Sequence, residues 1–211
     1  ASSAASDVYK RQVVALAVSL AGCAAKAPGS AEEYFEEASD DFRYGAFGLA
    51  IDQYRELLDQ HPFSDYTEEA ELRIAHAYYL SGMYPEAMAA LADFRRRHPT
   101  SPHLALAGYL LGMCYAQQIN TVDRDQSAAQ SAHTYFLTII QQYPDSPFAQ
   151  LAREELAACR EHLAEHDLYV ADFYLRRARP DAAKVRLITT AARFSDLSLI
   201  HISEPTRREG I

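Results

Sequence analysis

The side chains whose types and spacing invite a chemical reading are a few cysteines, histidines and aspartates. Cys23 closes the run Leu20-Ala21-Gly22-Cys23. Cys159, His162 and His166 stand at helical spacing, which would put metal-competent atoms on one side of a helix. No fourth ligand lies near them and the segment has the make-up of a charged helix face, so no metal site is expected. Asp123 and Asp125 alternate as carboxylates do in a calcium loop, but the rest of the ligand series and its glycine are missing. One of the two is expected to cap the helix that follows. Neither a glycine-rich phosphate loop nor a nucleophile elbow occurs. The chain therefore reads as a non-enzyme with no cofactor, and the cysteine that still needs explaining is Cys23.

The eleven residues Val13 to Cys23 read VVALAVSLAGC. Such a run is too short to span a bilayer and suits the apolar region of a signal peptide. Leu20-Ala21-Gly22-Cys23 resembles the bacterial lipobox, in which a leucine and two small residues precede a cysteine that is lipidated and becomes the first residue. The small residues let the peptidase approach the backbone. Residues 13–22 are thus read as the remnant of a signal peptide, and residues 23–30 as lipidated cysteine plus tether. The tether contains Pro28 and Gly29 among small residues. Lipid chains anchor a protein to a membrane without spanning it. Cys114 and Cys159 remain. Pairing stays open in an oxidising compartment, but their apolar helical neighbours favour two buried free thiols.

The two ends of the chain mirror one another at the level of codons. Asp7 to Gln12 reads DVYKRQ, and the reverse complement of one codon set for it translates as LSLIHI, the sequence of Leu197 to Ile202. Residues 1–12 and 197–211 are therefore expected to be a sequencing adapter read through on both sides. Setting them aside lowers the acid count from 29 to 26 and the Lys+Arg count from 20 to 16, which takes the net charge from −9 to about −10. So acidic a chain repels nucleic acid.

The elements that must carry any site are repeated. His61-Pro-Phe-Ser-Asp-Tyr66, His98-Pro-Thr-Ser-Pro-His103 and Tyr143-Pro-Asp-Ser-Pro-Phe148 punctuate amphipathic stretches. An alanine stands twelve residues before each proline: Ala50, Ala87 and Ala132. Ala183 holds the same place ahead of Ser195. Small residues come earlier still, at Ala38, Ala75, Gly112 and Ala171, and Gly45 and Gly82 fall in turns. The fold class is all-α: a tetratricopeptide-repeat superhelix of antiparallel helix pairs over residues 31–196, with about four repeats, the last truncated. Helices are expected at 31–44, 47–60, 65–81, 84–97, 102–118, 126–142, 147–177 and 180–193. Prolines end the second helices, and Ser64 and Ser101 are expected as N-caps. An insertion, INTVDRDQS, splits the third pair.

The lipobox, HPFSDYTEEAELRIAHAYY, DRDQSAAQSAHTYF, YPDSPF and VADFYLRRARPDAAKVR, in that order, resemble the BamD family, tetratricopeptide lipoproteins of the outer-membrane β-barrel assembly machinery. That family has five repeats, and this chain ends within the fourth. The resemblance implies an outer-membrane lipoprotein on the periplasmic face; Ala24, where an aspartate would favour inner-membrane retention, fits this. It implies a scaffold that binds a periplasmic POTRA domain of BamA, other lipoproteins of the machinery and unfolded outer-membrane proteins. A periplasmic tetratricopeptide lipoprotein of cell-envelope or cell-division coordination is the alternative.

Client signals of this kind are extended peptides with alternating apolar side chains and an aromatic end. A receptor needs aromatic walls and a cation for the terminal carboxylate. The first helix of each pair should line the concave face and present Phe35, Phe42, Arg43, Leu72, His76, Tyr79, Tyr109 and Met113. The aromatics among them could equally be packing between helices, which is the reading for Tyr78 and Tyr115. A second surface is the basic stretch LRRARPDAAKVR. The resemblance implies that its Arg186 pairs with an acidic residue of BamA's last POTRA domain, and arginine suits such a pair because its planar fork grips a carboxylate twice.

Overall fold

The computed structural model describes residues 29–197. Of the expected adapter segments 1–12 and 197–211 only Leu197 is described, and the expected signal-peptide remnant and Cys23 lie outside the described residues. Those described form eight helices: α1 (Ala31–Arg43), α2 (Phe47–Gln60), α3 (Thr67–Leu80), α4 (Tyr84–Arg97), α5 (Leu104–Ala116), α6 (Ser127–Gln142), α7 (Pro147–Arg176) and α8 (Pro180–Arg193). No strand occurs among them. None of these helices is long and apolar enough to cross a membrane.

Each helix packs on the next in the chain. In addition α3 touches α5 and α5 touches α7, whereas the second helices α2, α4 and α6 make no comparable contact with one another. The first helices therefore lie on the inner side of the stack, as a tetratricopeptide superhelix requires. Close approach within the pairs follows from residue size. Ala38, Ala50, Ala75, Ala87, Ala132, Ala171 and Ala183 are all essentially without exposed surface. At Gly112 the fit is tighter still: a Cβ there would meet the Phe136 ring at 2.5 Å. Around these contacts sit Tyr54, Leu57, Leu91, Phe94 and Phe136, each fully buried. Burial of such a side chain is worth about 1.5–3 kcal/mol.

Punctuation residues work by backbone geometry. His61, His98, Tyr143 and Phe194 each cap a second helix with φ between −133° and −120°, outside the helical region. Between the helices of a pair the chain turns through one left-handed residue, Gly45 (φ 78°) or Gly82 (φ 73°). The α7–α8 turn repeats the same backbone hydrogen bonds, but its left-handed residue is Ala178 (φ 53°).

The serines behave differently from expectation. Ser64 and Ser101 sit in a short turn ahead of α3 and α5, whose N-cap positions fall to Tyr66 and His103. Helices α3 and α5 accordingly begin two residues later than the sequence suggests. The extra turn uses Ser101 otherwise: its hydroxyl accepts from the His103 amide at 3.0 Å and bonds the Glu68 carboxylate. Ser30 and Ser146 do cap, for α1 and α7, and Ser30 forms a reciprocal capping box with Glu33. The insertion after α5 is held by the His166 Nδ1, 2.6 Å from the Val122 carbonyl, and Asp125 accepts from the Ser127 amide at 3.1 Å. Cys114 and Cys159 are buried free thiols, which burial pushes up to about 11.

Candidate peptide groove and basic surface

Along the inner side, aromatic rings from the first helices, joined by Tyr84 of α4 and Phe136 of α6, form a row in two runs. The Arg73 guanidinium stands 5.5 Å above the Phe42 ring. Phe42 lies 5.3 Å from His76, His76 6.5 Å from Tyr79, and Tyr79 6.0 Å from Tyr84. Further along, Tyr109 meets Phe148 at 5.8 Å and Phe136 at 6.0 Å. All members of the row except Phe136 are half-buried, so each packs against neighbours and keeps part of its surface in solvent. Burial, and after it the Arg73 charge, hold the His76 imidazole below its usual range.

Of the eight residues expected to line the groove, the structure thus places Phe42, His76 and Tyr79 in the first run of the row and Tyr109 in the second. Met113 is half-buried against the cluster around Phe136. Phe35 is stacked on Tyr66 at 4.9 Å and tilted onto Tyr54 at 5.7 Å, a packing role at the α1–α3 junction. Arg43 is exposed at the α1 end and pairs with Asp40. Leu72 faces the other way: it is 4% exposed and packs with Ala75, Leu91 and Leu110 in the core. It is corrected from a groove wall to a core residue. Tyr78 and Tyr115 pack as expected, the latter stacked on Tyr135 at 5.5 Å. Sequence reasoning missed Arg73, Tyr84 and Glu155, the last a half-buried carboxylate on the side of α7 that faces α5. Its signal was its spacing, three residues after Ala152 and four before Cys159.

The basic stretch spans the α7–α8 turn. Phe173, Tyr174, Arg177 and Arg179 line an open cleft of about 450 Å³, with the Arg177 guanidinium 5.3 Å from the Phe173 ring centre. Arg176 pairs with Asp172 within α7. Arg186 reaches back to the nearly buried Asp167, 3.4 Å away, and Arg193 approaches the same carboxylate at 4.0 Å. Arg186 therefore ties α8 to α7 and still leaves 40% of its side chain in solvent.

Residues 28–200 match the family model YfiO, described as an outer membrane lipoprotein. The chain belongs to this family. The curated relatives include outer membrane protein assembly factors BamD. That of Caulobacter vibrioides is 31% identical over 178 residues, covering 81% of this chain and 58% of the relative. The Vibrio cholerae protein is 31% identical over 155 residues, covering 69% and 64%. The Neisseria gonorrhoeae protein is 28% identical over 193 residues, covering 82% and 72%. This chain thus spans under two thirds of the first two. Among solved structures it is similar to the MamA protein, with a TM-score of 0.38 at 18% identity, covering 79% of this chain and 92% of that one.

Proposed function

We propose that this YfiO-family chain is the repeat portion of an outer-membrane protein assembly factor. It is a non-enzymatic scaffold, anchored at the periplasmic face through lipidated Cys23, that receives unfolded β-barrel proteins and docks on a POTRA domain of BamA beside other lipoproteins of the machinery. The observation that carries the reading is the half-buried aromatic row, with Phe42, His76 and Tyr79 in ring contact and Tyr109 in a second run, drawn from the first helices of three pairs. Spacing of this kind suits an extended peptide, whose alternate side chains can drop between rings while its backbone stays accessible.

A photocrosslinker at Tyr109 tests the groove. Recovery of unfolded outer-membrane barrels is expected; recovery of division or peptidoglycan enzymes instead would support the alternative scaffold and reject this one. The basic surface is tested separately. Arg186→Glu should weaken capture of BamA roughly tenfold or more, since it puts a second carboxylate against an acidic partner. Arg95→Glu, on α4, should not. Equal capture by the two variants would remove Arg186 from the interface. Because Arg186 also holds Asp167, the comparison needs matched unfolding curves for both variants.

A further inference from the structure

Glu155 is half-buried on α7, and no described residue forms an ion pair or hydrogen bond with it. Its direction is set by its helix. Ala152 and Cys159 are buried in the cluster against which Tyr109, Met113 and Phe148 pack, and residues three and four apart share a helix face. Glu155 therefore stands on the α5-facing side of α7, at the edge of the aromatic row. The phenols register it: burial first, and then the Glu155 carboxylate, hold Tyr109 above its usual range. For Tyr79, burial leads, with Tyr84, Cys114 and more weakly Glu155 adding to it.

A half-buried carboxylate without a cation has lost hydration and gained no partner. Phenol faces attract cations through their ring quadrupoles, and a carboxylate accepts charge-assisted hydrogen bonds from ammonium or guanidinium groups. We infer that Tyr79, Tyr109 and Glu155 together receive a lysine or arginine side chain of the segment lying in the groove. The inference rests on the peptide-groove reading and adds to it a sequence preference. The bound segment is not simply apolar and aromatic but carries a basic residue, held away from the Arg73 end of the row.

The test is fluorescence anisotropy with two synthetic peptides of alternating apolar residues that end in a phenylalanine with a free carboxylate. One carries an arginine among its polar positions and the other a glutamine there, and the substitution is moved through each polar position in turn. At one position the arginine peptide should bind tighter by roughly five- to thirtyfold, the range expected for a partly desolvated cation–π and charge contact. Glu155→Gln should abolish that preference and leave the glutamine peptide's affinity unchanged, which also shows that the variant is folded. Glu155→Arg should bind the matching glutamate peptide in preference to the arginine one. Equal binding of the arginine and glutamine peptides at every position, or a preference that survives Glu155→Gln, would overturn the inference. If neither peptide binds the unsubstituted protein, the groove reading fails first and this inference with it.

Discussion

Ala178 sits where the first two repeats use glycine. An L-residue in the left-handed region brings its Cβ against a carbonyl oxygen, whereas Gly45 and Gly82 have no Cβ to clash. Ala178→Gly should therefore raise unfolding stability by about 1 kcal/mol, or roughly 2–4 °C in Tm for a chain of this size. No change in a thermal melt would mean that the turn is unstrained. The two glycine turns are legible in the sequence because glycine marks them; the third is not, because alanine hides it. Leu72 shows the opposite failure. It shares helical spacing with His76 and Tyr79, but six residues of α3 are buried, so a count along the helix cannot separate the core side from the groove side. Glu155 escaped for a third reason: a carboxylate on a charged helix reads as solvated until α5 is set beside it.

Helix boundaries were the most legible feature, since prolines and small residues fix them by sterics. Departures occur where a side chain has two possible partners. Ser101 serves the turn and Glu68 rather than the helix end. Likewise the charged group at the α3–α4 junction is invisible in sequence: Glu71, 9% exposed, meets Arg97 and the His98 Nε2 at 2.7 Å. The α5–α6 contact supports a sharper prediction. Gly112→Ala would gain about 1 kcal/mol in helix propensity, but its methyl would enter the fully buried Phe136 ring, and overpacking costs typically 1–3 kcal/mol. The expected result is a net loss of order 1 kcal/mol in urea unfolding at an unchanged slope. A more stable variant would show that α6 can shift away freely.

The whole molecule should lose stability on mild acidification. His76 and His133 are both held below the ordinary range of histidine, mainly by burial, with neighbouring arginines adding to it. A histidine whose folded pKa is depressed binds its proton more readily when unfolded. Stability from these groups is thus complete above about pH 6.5 and is lost as pH falls from there toward the folded values. Urea midpoints at about pH 7.5 and about pH 5.5 should differ in that direction, and His76→Gln with His133→Gln should shrink the difference. An unchanged difference would assign it to carboxylates.

Helix α7 packs on α5 and α6 of the third pair as well as on α8, and that has a mechanical consequence. Its thirty residues make a shaft about 45 Å long, with Glu155 beside the groove and Asp167 beneath Arg186 about 18 Å further along. No glycine interrupts it, and its one proline stands at the first position. A load taken up at the inner row is therefore delivered to the basic turn without a hinge to absorb it. The inner row and the basic turn are fixed to a single lever.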